Sequence, residues 1–394
     1  MALTIIFFAI LLCYCVTIIW LSNGLSRLLK QSAAGPAGID EISLPTISVI
    51  VAARNEAHNL PRLIHCLKNQ QYPDDKIEFL IVDDRSEDSS WMILSEAAES
   101  QDNFRSFRIR DLLTDYAPKK RALDYAIRAA KGEILLLTDA DCAPSPKWAH
   151  GMVQNYQNNV VLVPGYSYYR YDYPAPAFIQ GVLSLEYFSH AAVAAASAGL
   201  GLPLTAAGCN FSYRRKTYFE VGGFSSIQQW VSGDDDLFLH NVARHKLGEF
   251  RYALAPESFM SCAAPVSFLQ FWNQRIRYAS KGLHYSFSMT SSLIAVYILN
   301  LFVVLSGPLF ILGFTQIATM VFFGWTIKSF VEYFFLSRAA SLFHEKRLLK
   351  YFLPTAFLHP FYIFIFAFLG VFSRFKWKDA KTLKKQKTEP VPND

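Results

Sequence analysis

Glu133-Ile134-Leu135-Leu136-Leu137-Thr138-Asp139-Ala140-Asp141 joins a short apolar run to two carboxylates. A run apolar on both alternating faces is a strand covered on both sides, the pattern of a parallel sheet between helices. Ligands on such sheets gather beyond the carboxyl ends of the strands. Asp139 and Asp141 fall there, at i and i+2. Paired carboxylates at a strand end suit a hard divalent ion, Mg²⁺ or Mn²⁺, which takes oxygen ligands together with phosphate oxygens. The competing use of the same residues is a turn capped by aspartates.

Two similar runs lie upstream. Ile47-Ser-Val-Ile-Val-Ala52 and Glu78-Phe-Leu-Ile-Val-Asp83 are short, β-branched and apolar, and each ends in polar residues: Arg54 and Asn55 after the first, Asp83 and Asp84 at the end of the second. Leu60, Leu63, Ile64 and Leu67 recur at helical spacing between them. Further helices are expected over 90–99 and 119–130. Strands alternating with helices predict an α/β fold with a mostly parallel sheet.

Three downstream groups carry candidate chemistry. Lys119 and Lys120 begin a helix, where cations oppose the helix dipole; they are either a solvated pair or a site for an anion such as diphosphate. Gly233-Asp234-Asp235-Asp236-Leu237 precedes a helix expected over 237–244. Adjacent acids stabilise a helix N-terminus, and their mutual repulsion also suits one of them to accept a proton. Gln274-Arg275-Ile276-Arg277-Tyr278 sets two guanidinium groups at i and i+2, which cannot share one helix face. One is expected to point into a site and one away.

The rest of the chain belongs to another solvent. Of the 394 residues 52% are hydrophobic and only 18% charged, against about 25% in a soluble protein. Leu3 to Leu21 is almost wholly apolar and is followed by Arg27 and Lys30, which marks an anchor delivering the chain to the cytoplasm. The runs 291–313 and 317–336 are long enough to cross a bilayer. The segment 351–372 is apolar but carries Pro354 and Pro360, and a basic tail from Arg374 follows. Three full C-terminal crossings place that tail outside, against the positive-inside rule. The last segment is therefore expected to dip in and return, or to lie in the interface, with a cytoplasmic C-terminus. Residues 174–203 read either as an amphipathic helix beside the acceptor site or membrane, or as a buried helix. The net charge of +6 lies largely in the tail and points to no nucleic-acid groove. The six cysteines show no metal-ligand spacing, so a reduced compartment is expected. The organisation is an anchor over 1–30, a linker over 31–44, a catalytic domain over 45–285, a membrane domain over 286–373 and a tail over 374–394.

In their order and spacing, Ile47 to Asn59, Ile81 to Ser86, Lys119 to Leu123, Asp139-Ala-Asp141, Gly233 to Leu237 and Gln274 to Tyr278 resemble the family 2 glycosyltransferases of GT-A fold. The chain is more similar to the membrane-bound branch, which includes bacterial polysaccharide synthases and ceramide glucosyltransferase-like enzymes. The resemblance implies a GT-A nucleotide-sugar-binding domain with N- and C-terminal transmembrane helices, in a bacterial inner membrane with the catalytic domain cytoplasmic. It implies that Ala53, Arg54, Asn55, Glu56, Asp83 and Asp84 hold uridine and that Lys119 reaches the diphosphate. Asp139 and Asp141 become the metal motif, Asp141 the direct ligand. Asp234 becomes the general base, with Asp235 its rival, because the Glu of the family's Glu-Asp motif is replaced by Gly233. Gln274, Arg277 and Tyr278 become the acceptor and diphosphate motif, with Tyr in place of the usual Trp. The implied reaction is inverting transfer from a UDP-sugar to a lipid or lipid-linked hydroxyl. A processive polysaccharide synthase is the alternative within the class. A non-catalytic transporter is the alternative outside it, and Lys328 and Glu332 within one apolar run are the residues it rests on.

Overall fold

A computed structural model describes residues 2–33, 44–111, 116–157 and 159–372. The expected linker lies largely outside these residues, and the basic tail lies outside them entirely. The strands in chain order are β1 (Ile47–Ala53), β2 (Ile77–Asp84), β3 (Phe104–Ile109), β4 (Ile134–Asp139), β5 (Cys142–Pro144), β6 (Val160–Pro164), β7 (Ser167–Arg170), β8 (Phe211–Arg214), β9 (Glu249–Phe250) and β10 (Met260–Ala263). The helices are α1 (Ala2–Ala33), α2 (Leu60–Lys68), α3 (Ser90–Glu99), α4 (Pro118–Ala129), α5 (Trp148–Val153), α6 (Ala177–Gly199), α7 (Arg215–Glu220), α8 (Asp236–His245), α9 (Phe268–Ala279), α10 (Phe287–Ile311), α11 (Thr315–Leu342) and α12 (Phe352–Phe372).

Seven strands form the main sheet in the order β3-β2-β1-β4-β8-β6-β9. The first four are parallel, and β8 runs against both β4 and β6. Ala53 pairs with Asp83, and Ala52 with Asp139. That register brings the polar ends of β1, β2 and β4 to one edge. The strands are buried on both faces because helices cover both. Leu60, Leu63, Ile64 and Leu67 of α2 close one side together with α3 and α5; Ala122, Leu123, Ala126 and Ile127 of α4 close the other together with α7 and α8. Each fully buried Leu or Ile contributes about 1.5–3 kcal/mol relative to exposure. A second sheet, β5-β10-β7, is built by pairings distant in sequence.

The 174–203 segment is resolved in favour of the buried helix. Along α6, Ala192 and the run Ala194 to Gly199 are buried. Small residues let α6 and α1 approach to backbone contact: a Cβ on Gly24 would overlap the Ala196 carbonyl, and one on Gly199 would overlap the Gly24 carbonyl. Arg338 of α11 donates to the hydroxyls of Ser22 and Ser26 on α1.

Among the described residues, three helical segments are long and apolar enough to cross a membrane: 3–31, 287–311 and 346–372. The helix α11 between the last two carries Lys328 and Glu332, 2.7 Å apart, with the Tyr14 hydroxyl of α1 donating to the same carboxylate. The expectation that 351–372 turns back within the membrane is not met. It forms one unbroken helix, because Pro354 falls in the first turn, where no N–H is needed, and Pro360 is accommodated further along. Both parts of α12 lie against the catalytic domain. Tyr351, just before it, packs on Gly181 and Phe178 of α6. Phe366 meets Phe271 and Trp272 of α9, and Gly370 lies against Ala279.

Candidate active site

The loops after β1 and β2 are fastened to each other. Asn55 takes a left-handed backbone (φ 50°), which its short polar side chain tolerates. Its N–H donates to Ser86 Oγ (2.9 Å), and its Oδ1 accepts from the Glu87 N–H (2.8 Å). The Glu56 N–H donates to Ser90 Oγ (2.8 Å). Asp84 is held by its neighbour Arg85, at 2.8 and 3.0 Å to its two oxygens. The Asp83 side chain is wholly buried, with Arg108 Nε at 3.5 Å, and burial raises its pKa. Arg54 Nε is buried and has no hydrogen-bond partner among the described residues.

Lys119 is the centre of the arrangement. Its Nζ lies 2.8 Å from Asp139 Oδ1 and 2.8 Å from Asp234 Oδ2, so α4 ties the end of β4 to the loop before α8. Burial opposes the charge on Lys119, but the two carboxylates outweigh it and hold the amine protonated well beyond the usual lysine range. Burial likewise disfavours the ionised Asp234, yet Lys119 and Lys120 keep its pKa well below the ordinary carboxylate range. Lys120 is not the solvated partner that the sequence allows. It is fully buried and donates to the carbonyls of Trp230 and Ser232, and burial lowers its pKa to about 8.

The three acids before α8 have three different environments. Gly233 has φ +96°, and a Cβ there would strike Leu237; a glutamate at this position would be strained, which accounts for the glycine. Asp235 caps α8, accepting from the Asp236 N–H (2.7 Å) and the Gly208 N–H (3.2 Å), with Lys281 Nζ at 3.2 Å. Asp236 is fixed by Lys281 (2.5 Å), Tyr285 (3.0 Å), Thr205 (2.9 Å) and the Ala206 N–H (2.9 Å). Only Asp234 faces Lys119. Sequence reading missed Lys281, Tyr285 and Thr205, which carry no local motif.

The Asp141 carboxylate is half-buried, and among the described residues no cation is paired with it. Burial, followed by the nearby charge of Asp139, pushes its pKa up to about 7. Two carboxylates close together, one of them without a counter-charge, form a donor set that fits Mg²⁺ or Mn²⁺.

On α9, the two guanidinium groups separate as expected. Arg275 is wholly buried and paired with Glu186 of α6, while Arg277 is partly exposed and lies over the Tyr278 ring (5.0 Å). Tyr278 also faces Arg275 (5.6 Å) and Lys281 (5.9 Å). Gln274 is 3.5 Å from the Tyr169 hydroxyl. Tyr169 of β7 stacks on Tyr187 of α6 at 4.2 Å, an aromatic pair joining that strand to that helix beside Gln274.

Residues 48–221 match the family described as Glycosyl transferase family 2. The chain carries a family 2 glycosyltransferase domain. Over 106 residues it is 32% identical to the glycosyltransferase AglE of Haloferax volcanii, covering 27% of this chain and 34% of that protein. Over 99 residues it is 36% identical to the β-monoglucosyldiacylglycerol synthase of Trichormus variabilis, covering 25% of this chain and 21% of that one. The alignments thus span a fifth to a third of these relatives' own length. The fold is similar to that of the mannosyltransferase PcManGT of Pyrobaculum calidifontis, solved with GDP-Man and Mn²⁺, with TM-score 0.55, 19% identity and coverage of 90% of this chain and 98% of that one. The glycosyltransferase domain therefore has the GT-A architecture. Its matched region contains β1, β2, β4 and the Asp139-Ala-Asp141 motif, whereas Asp234, Asp235 and α9 lie beyond it.

Proposed function

We propose that the protein is a membrane-bound inverting glycosyltransferase that moves a sugar from a nucleoside-diphosphate donor to the hydroxyl of a lipid. The observation that carries this reading is Lys119 held between Asp139 and Asp234, because it joins a diphosphate-side carboxylate to a candidate base through one shared cation. Ala53 to Glu56 with Asp83 and Asp84 form the nucleoside side. Asp139 and Asp141 would hold a divalent ion, which would supply charge neutralisation for the departing diphosphate. As the donor arrives, its diphosphate draws Lys119 away from Asp234. The freed carboxylate then accepts the proton of the acceptor hydroxyl as that oxygen attacks the anomeric carbon. A single displacement inverts that carbon. Gln274, Arg277 and Tyr278 line the acceptor side, and Asp235 positions α8.

A lipid acceptor is supported by the buried junction of α6 and α9 with the apolar helices, and by a relative named for synthesis of a glucosyldiacylglycerol. The closed Lys328–Glu332–Tyr14 cluster supports a structural role for those charges in place of a transport path. The contacts of α12 with α6 and α9 support a helix lying along the membrane surface beside the catalytic domain, and with it a cytoplasmic C-terminus.

The test uses the full chain in detergent with a panel of UDP- and GDP-sugars, diacylglycerol and a bacterial lipid extract. Nucleoside diphosphate release together with a labelled glycolipid is expected. Release with no dependence on Asp141 or Asp234 would overturn the assignment.

A further inference from the structure

Three cysteines far apart in sequence converge behind the Asp139-Ala-Asp141 motif. Cys142 opens β5, Cys262 lies on β10, and Cys209 sits in the segment just before β8. Cys142 and Cys262 are directly opposed in an antiparallel pair. The neighbouring pair, in which the Ala263 N–H donates to the Asp141 carbonyl, is hydrogen-bonded, so the cysteines occupy the closer, non-hydrogen-bonded position. Their sulfurs are 3.1 Å apart, and all three sulfurs lie within 4.8 Å of one another. All three residues are buried. Three sulfurs around one tetrahedral cation, at about 2.3 Å each, would be about 3.8 Å apart, so small side-chain rotations suffice to close the set. Ser167 Oγ, 3.2 Å from Cys209 Sγ, is an adjacent oxygen donor. Arg170 spans the flanking residues, donating to the carbonyls of Asp141 (3.2 Å) and Ser261 (3.4 Å) while its Nε pairs with Asp172 (3.0 Å), and so braces the two strands that carry Cys142 and Cys262.

We propose that Cys142, Cys209 and Cys262 form a structural site for a soft divalent cation, Zn²⁺, adjoining the hard-ion site at Asp139 and Asp141, with Cys142 Sγ 3.7 Å from Asp141 Oδ1. Binding forms three metal–sulfur bonds and releases the thiol protons to solvent. Soft thiolate ligands select zinc, while the carboxylates select magnesium or manganese, so the two sites sort their ions by chemistry. The bound cation would clamp β5 to β10 and to the segment containing Gly208. That segment donates to Asp235, so the clamp would hold the floor of the active site. The site stands whether or not the transfer reaction does.

The full chain, purified in detergent, is analysed for zinc by plasma mass spectrometry, then stripped and titrated with Co²⁺. About one zinc per chain is expected, together with a near-ultraviolet thiolate-to-cobalt charge-transfer band that saturates at one equivalent. Cys209→Ser and Cys262→Ser should each lose the band, and Cys66→Ser, on α2, should keep it. The titration of the unaltered chain decides the matter even if a variant fails to fold. Absence of the band from that chain, its persistence in Cys209→Ser, or a Cys142–Cys262 disulfide in place of bound metal would overturn the proposal.

Discussion

Lys119 Nζ lies 2.8 Å from Asp234 Oδ2, so an amine from α4 covers the carboxylate assigned as base until a donor arrives. Lys119→Met removes the group that the diphosphate is to capture. A hydrogen bond to a charged group is worth about 1.5–3 kcal/mol, so kcat/KM for the donor should fall about 10- to 100-fold. Most of the loss should appear as a higher donor KM, with partial recovery in Lys119→Arg. Unchanged steady-state kinetics in Lys119→Met would remove the residue from the mechanism.

Asp234→Asn keeps the shape but cannot take a proton. Its kcat should fall by about 10²- to 10⁴-fold while donor binding, followed by calorimetry, is retained. Asp235→Asn should instead act on stability through the cap of α8, by about 1 kcal/mol or less, since an amide oxygen still caps. An inactive Asp235→Asn beside an active Asp234→Asn would move the base by one residue.

Chelation by EDTA should abolish turnover, and added Mg²⁺ or Mn²⁺ should restore it. Asp141→Asn should be equally inactive with an unchanged melting profile. Full activity after exhaustive chelation contradicts the assignment of Asp139 and Asp141 as ligands.

Arg275 and Glu186 form a buried pair joining α9 to α6, and burial, which would raise the Glu186 pKa, is outweighed by Arg275, which lowers it to about 2. A depressed carboxylate pKa means that the stabilisation is complete above the unfolded value of about 4.3 and is lost as pH falls toward 2. Arg275→Met removes the buried cation paired with Glu186, leaving His190 Nε2 beside it at 3.2 Å, and should cost about 3 kcal/mol at neutral pH. Adding Glu186→Gln should recover much of that loss. Equal melting temperatures for the single variant and the unaltered protein would show that the pair is dispensable.

Fluorescent protein fused after Asp394 should fluoresce, and alkaline phosphatase at the same position should be inactive, because α12 begins against α6 and runs back along α9. The opposite pair of results would mean that α12 crosses the membrane.

The strands β1, β2 and β4 were legible because residues on both faces are apolar, and the carboxylates at their ends followed from the chain direction. β3 was not: Phe104-Arg-Ser-Phe-Arg-Ile109 has no alternation of apolar and polar residues, and at the sheet edge its two arginines interrupt the apolar run. The second sheet was beyond reach because the residues it pairs, such as Cys142 and Cys262, lie 120 residues apart in sequence and carry no local signal of each other. The acids at 234–236 were visible as a group, but their division of labour was not. That depends on Lys119 approaching from α4 and on Lys281 and Tyr285 approaching from the segment between α9 and α10. The arginines of α9 were separated correctly by helical geometry alone, although the partner Glu186 was not foreseen.

The contact of Gly24 with Ala196 and Gly199 makes α1 more than a leash. An anchor needs only greasiness, and any foreign span of equal length supplies that. Here the helix is keyed into a notch cut by small side chains, so in the proposed membrane-bound enzyme the height and tilt of the catalytic cleft above the lipid would be set by a fitted joint. Replacing α1 with an unrelated span would leave the enzyme attached to its membrane yet riding loose over it, facing its substrate only by chance.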